Sequence, residues 1–491
     1  MRPIRVAFLA LWLSASAYAE VPVQLHPLDS LLSPVLADRA LRGVDVSVVV
    51  VRVADGEVMY AAHADKALNG ASTMKVVTAA TALRTLGPAW RFQTVVETDG
   101  EVDADGVLHG NLYVRGGGDP TLVVERLWKL VHDLAVVGIA TVDGDVVFDA
   151  DYFAPETRIV GWDKSDDVQN GPAYFPELGA LAVNFNTVAV VVGPGATVGG
   201  PARVVLETPV GDHVELVSTA TTGSERSSNT IKLEREILAD KRLKFTVTGV
   251  VPSASEVDRH YRAVADPTAH FIAAFKQMML REPIAVKGKF RAGNAPGDAT
   301  RLARSTSPPM AAVLADMNKH SNNFIAEQVI RAIGAQTSGQ PGSNENGMLA
   351  VADYLRSLGV DPELDQLVNG SGLAEHGAVR PTTLVEVLRD MDRDPLLADE
   401  FRASLSIAGV DGTLVRRGND QPGSFRGKTG TIDGVHCLVG MVSSDGGERY
   451  AFAFLANDID GGNAQVRRVQ DRFVQELSMT QTDEVALGYP R

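Results

Sequence analysis

Only one cysteine, Cys437, occurs in 491 residues, so the chain forms no disulfide within itself. It lies in the apolar run His436-Cys437-Leu438-Val439-Gly440 and is expected as a buried structural thiol. Large exported proteins do without disulfides because their cores suffice. Basic residues are outnumbered: 46 Lys and Arg stand against 61 Asp and Glu, a net charge of −15. That balance argues against nucleic acid and against an anionic membrane surface as partners. Long apolar runs are also missing. The stretch from Val6 to Leu13 is too short to anchor in a bilayer, and no second long one follows. The ten histidines show no His-Glu-x-x-His spacing, and one cysteine supplies no ligand set. No metal or other cofactor is therefore expected. A Gly-x-Ser-x-Gly elbow, low-complexity tracts and internal repeats are likewise absent.

What is present begins with an export signal. Arg2 and Arg5 precede the short apolar stretch, and Ala17-Tyr18-Ala19 supplies small residues for cleavage. Residues 1–19 are read as a removable signal peptide, leaving a chain with no transmembrane anchor and a periplasmic destination.

Element signals then alternate. Leu28–Leu41 reads as an amphipathic helix. Val46–Val53 and Val58–Ala62, joined through Asp55-Gly56, read as a hairpin. Residues 92–114 and 180–250 read as short strands broken by Gly, Pro and Asp-Gly turns. Arg115-Gly116-Gly117-Gly118-Asp119-Pro120-Thr121 is glycine-rich but is read as a loop, because no Gly-Lys-Ser/Thr follows in it. Helical segments return after Asp266, and Phe425–Asp458 reads as three consecutive strands before a closing helix at Gln465–Leu477. This order is α+β. The simplest account joins 20–91 and 266–491 into one domain with the middle inserted.

Three short motifs carry the chemistry. Ser72-Thr73-Met74-Lys75 opens an alanine-rich helix, with Ser72 expected at its N-cap. Serine and lysine three apart share a helix face. A lysine neutralised by its surroundings takes the serine proton and makes a nucleophile. His320-Ser321-Asn322-Asn323 sits between two helices, and Gly427-Lys428-Thr429-Gly430-Thr431 opens a strand. Ser72 is assigned the attack on a carbonyl and Lys75 the base. Ser321 relays a proton to a leaving amine, and Asn323 holds Lys75 or the substrate backbone. Lys428 and Thr429 suit a substrate carboxylate. Gly430 lets an extended peptide lie against the strand edge. The N–H groups of Ser72 and Thr431 form an oxyanion hole.

The order Ser-x-x-Lys, Ser-x-Asn, Lys-Thr-Gly is that of penicillin-binding proteins and serine β-lactamases. The chain resembles the class C low-molecular-mass penicillin-binding proteins, the D-alanyl-D-alanine carboxypeptidase/endopeptidase family. Gly118-Asp119-Pro120-Thr121-Leu122, Gly161-Trp162, Asn369-Gly370-Ser371-Gly372-Leu373, Gly409-Val410-Asp411-Gly412-Thr413-Leu414 and Gly434-Val435 extend the resemblance over nearly the whole chain. It implies a transpeptidase/β-lactamase-like catalytic domain at 20–91 and 266–491. It further implies an inserted domain II at 92–175 and 252–265, and a β-rich domain III at 176–251. Peptidoglycan stem peptides are the implied substrates and β-lactams the implied inhibitors. A β-lactamase and a non-catalytic wall-binding protein stand as alternatives, and the resemblance leaves carboxypeptidase against endopeptidase open.

The family also reads the side chain of the stem peptide in a side pocket. The positions that match its residues here are Asp166, with Asp167 as the alternative, Glu375 and Asp433. Glu375 stands where the family has an arginine. The expectation is an acidic pocket that favours a cationic side-chain end and tolerates a free carboxylate poorly.

Overall fold

The computed structural model describes residues 26–339, 341–418 and 421–481. The expected signal segment, 1–19, lies outside them. Two large cores organise the rest.

The first is built on a six-stranded antiparallel sheet. Its strands run Val58–Ala62, Asp45–Arg52, Arg449–Asn457, Val435–Ser443, Phe425–Ile432 and Ser406–Ile407. Both faces are covered, so these strands carry near-continuous apolar runs instead of alternating ones. Val48 and Val50 pack with Leu32, Val466 and Phe473 of the helices Asp29–Leu36 and Asn463–Ser478. Val49 and Val51 join the opposite core, which includes Val76, Leu314, Val329, Val351 and Leu388 from five further helices. At the centre of that layer the helix Met74–Thr85 is buried continuously from Met74 to Leu83. Its alanines and threonines let neighbouring helices approach on every side, which explains its lack of a polar face.

The second core lies in the inserted region. A five-stranded sheet orders Phe290–Ala292, Val146–Asp149, Leu112–Arg115, Gln93–Thr98 and Thr300–Thr306. A three-stranded sheet follows with Arg203–Leu206, Thr187–Gly193 and Asp258–Ala263, and another with Val214–Ser218, Leu243–Thr248 and Lys232–Ile237.

Strand pairing moves two expected boundaries. Asp258–Ala263, expected with 92–175, instead pairs along Thr187–Gly193. Residues 267–306, expected with the first core, sit in the second. Thr300–Thr306 pairs with Gln93–Thr98, and Phe290–Ala292 with Val146–Asp149. The helix Pro267–Met279 brings Phe271 and Phe275 edge-on to Phe148, with ring centroids 6.2 and 5.4 Å away. The apolar stripe of that helix is matched by the inserted sheets, and pairing over such sequence distances leaves no local signal. The chain rejoins the first core at the helix Met310–Lys319.

Candidate active site

The turn before the central helix positions Ser72. Asn69 Oδ1 accepts the Ala71 N–H at 2.8 Å, and Thr73 Oγ1 donates to the Gly70 carbonyl at 2.7 Å. Ala71 is left with φ of +44°, a conformation strained for a residue with a Cβ. Ser72 lies inside the short 3-10 turn Ala71–Thr73 and makes no capping bond, contrary to the expected N-cap. Its hydroxyl is left for other work. When charged, Lys75 Nζ donates to Ser72 Oγ at 3.0 Å.

Lys75 is completely buried. Its amine also donates to Asn323 Oδ1 at 2.7 Å and to the Ser371 carbonyl at 2.7 Å. Burial pulls its pKa down to about 7, and the charge of Glu327 opposes that pull. A neutral amine has two N–H donors and one lone pair. Asn323 and Ser371 take the donors, so the lone pair faces the Ser72 hydroxyl.

Asn323 is held from its other side, its Nδ2 donating to the Tyr174 carbonyl at 2.8 Å. Asn322 caps the helix Asn323–Ser338 through the Ile325 N–H, and Ser321 turns into it with φ of +54°. That strain aims Ser321 Oγ at Lys428 Nζ, which donates to it at 2.8 Å and to the Thr429 carbonyl at 2.8 Å. Lys428 is fully buried, and burial, then the charge of Lys75, pushes its pKa well below the ordinary lysine value. Thr429 Oγ1 donates to Thr413 Oγ1 at 2.9 Å. Thr431 Oγ1 lies 3.2 Å from His436 Nδ1.

Gly430 has a close neighbour on the face of its strand. A Cβ there would overlap the Gly70 carbonyl and come within 3.2 Å of the Ala71 Cβ. The glycine brings its strand against the turn that carries Ser72. Gly372 also packs against that turn: its φ is +72°, and a Cβ would overlap the Ala71 carbonyl. The structure therefore gathers Ser72, Lys75, Ser321, Asn323 and the Lys428–Thr431 strand around one turn. Cys437 backs onto the same turn, buried, 3.3 Å from the Asn69 carbonyl, with its thiol pushed up to about 12 by burial.

Several participants escaped the sequence reading. Ser371 was visible only as part of a glycine-flanked loop, and its carbonyl, not its side chain, contacts Lys75. Glu327, one turn beyond Asn323, accepts the Ser371 N–H at 2.8 Å. Thr413 lay within a noted glycine loop, but nothing marked its hydroxyl.

The side-pocket residues have separate partners. Asp166 is exposed, whereas Asp167 accepts from Trp162 Nε1 at 3.0 Å and from the Tyr174 hydroxyl at 2.6 Å. Asp433 pairs with Lys164 at 3.1 Å, and that ammonium lies 4.7 Å from the centroid of the Trp162 ring. Glu375 is exposed, tied to the site through its own N–H, which donates to the Gly161 carbonyl at 3.0 Å. Lys164 adds a cation beside the expected acidic residues. An exposed lysine carries no motif, and only the fold sets it over Trp162.

A family model described as the D-Ala-D-Ala carboxypeptidase 3 (S13) family matches residues 28–479. The chain belongs to that family. Among its relatives, the D-alanyl-D-alanine carboxypeptidase of Actinomadura sp. (strain R39) is 34% identical over 446 residues, covering 88% of this chain and 81% of the relative. The D-alanyl-D-alanine carboxypeptidase DacB of Haemophilus influenzae is 26% identical over 448 residues, 90% of this chain and 91% of the relative. The crystal structure of penicillin binding protein 4 (dacB) from Haemophilus influenzae superposes with a TM-score of 0.78 at 25% identity. It covers 92% of this chain and all of that one (100%). The S13 chain is thus a serine-type D-Ala-D-Ala carboxypeptidase on a penicillin-binding α+β fold.

Proposed function

We propose that this S13 enzyme is exported to the periplasm and cleaves D-alanyl-D-alanine bonds in peptidoglycan stem peptides or their cross-links through an acyl-enzyme on Ser72. The observation that carries this reading is the buried Lys75 amine, whose two donors are engaged while its third position meets Ser72 Oγ at 3.0 Å. Lys75 takes the Ser72 proton as Ser72 Oγ bonds to the carbonyl carbon of the penultimate D-alanine. The C–N bond then breaks, and the leaving amine receives a proton by way of Ser321, which accepts from Lys428. Asn323 holds Lys75. Lys428, Thr429 and the strand edge at Gly430 face the terminal carboxylate and backbone of the substrate, and the N–H groups of Ser72 and Thr431 receive the oxyanion. Water hydrolyses the ester and returns Ser72. β-Lactams acylate the same serine.

In the side pocket, Asp167 with Trp162 and Tyr174 forms the anchored acid, and Asp166, Glu375 and Asp433 lie outside that hydrogen-bonded set. Lys164 offers a cation beside Asp433. The pocket therefore suits a zwitterionic side-chain end that presents an ammonium to Asp167 and a carboxylate to Lys164.

Intact-protein mass after incubation with benzylpenicillin tests the reaction. A persistent adduct on wild type and none on Ser72→Ala is expected. Antibiotic destroyed without a lasting adduct points to a β-lactamase, and folded protein with neither adduct nor turnover overturns the nucleophile assignment.

A further inference from the structure

Glu327 has no part in the reaction just described, yet it is buried at the centre of the site. The helix Asn323–Ser338 places it one turn after Asn323, on the same face, and it is 2% exposed. Its Oε1 accepts the Ser371 N–H at 2.8 Å, and the Ser371 carbonyl accepts from Lys75 Nζ at 2.7 Å. Carboxylate and amine thus hold Ser371 from its N–H and from its carbonyl.

An exposed loop peptide would swing, because Gly370 and Gly372 flank it. Here it is fixed at several points. Thr78 Oγ1 donates to the Gly370 carbonyl at 2.7 Å, the Gly372 N–H donates to Asn369 Oδ1 at 2.8 Å, and the Ser371 N–H is held by Glu327. Thr78 and Glu327 hold the two ends of the Gly370–Ser371 peptide unit, and of these partners only Glu327 can carry charge.

The electrostatic surroundings of Lys75 are lopsided. Glu327 is the acid that acts on it from the helix Asn323–Ser338, and Lys428 opposes it from the strand Phe425–Ile432. Glu327 in turn feels Lys75 and, one turn further along its own helix, Arg331, which is itself influenced by Glu156 and Glu177. Burial pushes the Glu327 carboxyl above its ordinary value, while the bond from Ser371 and the two cations pull it back.

We propose that Glu327 is a positioning residue for acylation: it anchors the N–H of Ser371, the residue whose carbonyl holds Lys75 Nζ against Ser72, and its charge strengthens the hold of Lys75 on the abstracted proton. This rests on Lys75 being the base. Without the Glu327 charge, Lys75 loses the attraction that offsets its burial and becomes a weaker base.

The test is the second-order rate of benzylpenicillin acylation of the purified enzyme across pH 5–10. Glu327→Gln keeps an acceptor for the Ser371 N–H and removes the charge. Its acid limb should move to lower pH by about one unit, and its plateau should fall by about three- to tenfold, with thermal stability retained. Glu327→Asp keeps the charge but withdraws from Ser371. Its plateau should fall while the acid limb stays in place, and this variant carries the test where the Gln variant does not fold. Profiles of both variants superimposable on wild type, or a lower plateau that merely follows lost thermal stability with no shift of the Gln limb, overturn the proposal. Lys75→Ala separates the two readings. If it acylates at the wild-type rate, the base assignment itself fails. If it is slow while the Glu327 variants match wild type, only the role of Glu327 falls.

Discussion

Gly430 presses against the Gly70 carbonyl so closely that a side chain there would overlap that oxygen. The Lys-Thr-Gly strand and the nucleophile's turn are therefore a single packed unit, and the spacing between Ser72 and Thr431 depends on the missing Cβ. Gly430→Ala should push the turn away from the strand. Overpacking of this kind destabilises by about 1–3 kcal/mol. Because displacement by a fraction of an ångström disturbs attack geometry, acylation by benzylpenicillin should fall by more than about tenfold. Stopped-flow acylation and a denaturant titration measure the two effects. A variant with wild-type acylation would show that the turn does not set the nucleophile.

Lys75 gives the enzyme its pH response. In the folded chain its pKa is about 7, against an ordinary 10.5, chiefly because it is buried. Acylation should therefore decline as pH falls through about 7, approaching tenfold per unit once the ammonium predominates. The same shift affects stability. Between pH 7 and 10.5 the unfolded chain binds more protons at this site than the folded one, so stability gains from Lys75 as pH rises through that window. Below pH 7 the whole penalty is present. Lys75→Met, which keeps an apolar stem, should be the more stable protein at neutral pH by about 1–3 kcal/mol, with the advantage shrinking towards pH 10.5. Urea titrations at three pH values check this, and an advantage that grows with pH would contradict it.

Local chemistry was readable where it is local. The Ser72–Lys75 spacing, the Ser321–Asn323 loop and the Lys428–Thr431 strand follow from short-range pattern, and so do the hairpin at Asp45–Ala62 and the three strands after Phe425. What the pattern hid depends on long-range contact. Thr300–Thr306 gives no hint that it pairs with Gln93–Thr98, and Glu327 looks like any helix glutamate until the Ser371 loop closes on it. The strand edge suggests a substrate role for Gly430, and nothing local in the sequence signals that its face packs against residue 70. Asp166 and Asp167 are adjacent and chemically equal; only the turn of the helix Ser165–Asn170 separates a solvent-facing acid from one bound to Trp162 and Tyr174.

That distinction is testable. Asp167 holds the Tyr174 hydroxyl at 2.6 Å, and the Tyr174 carbonyl accepts from Asn323 Nδ2 at 2.8 Å. The side pocket is thereby mechanically joined to the residue that holds Lys75. Asp167→Ala should raise KM for a diamino-acid stem peptide and also slow acylation by benzylpenicillin, by about three- to tenfold, since Asn323 loses its brace. Asp166→Ala should leave benzylpenicillin acylation within about twofold of wild type, as exposed substitutions do. Glu375→Arg should favour peptides with a free side-chain carboxylate over amidated ones, read as a ratio of kcat/KM. Equal losses from Asp166→Ala and Asp167→Ala would sink this division of roles.

Ser321 exposes a conflict between stability and activity. Its φ of +54° is strained for serine and easy for glycine. Yet its Oγ accepts from Lys428 Nζ at 2.8 Å, and without it that buried ammonium keeps only the Thr429 carbonyl among its hydrogen-bond partners within the described residues. Ser321→Gly relieves the backbone by about 1 kcal/mol and leaves Lys428 one partner short, at a cost of about 1–3 kcal/mol unless water enters. Ser321→Ala suffers the same loss without the relief. Gly should therefore be the more stable of the two variants by about 1 kcal/mol, while both lose the proton relay and acylate at least about tenfold more slowly than wild type. Thermal melts rank the stabilities, and benzylpenicillin acylation ranks the activities. If Ala proves the more stable variant, backbone strain at Ser321 is not what the loop is holding. If Gly acylates at the wild-type rate, the leaving amine draws its proton from another group.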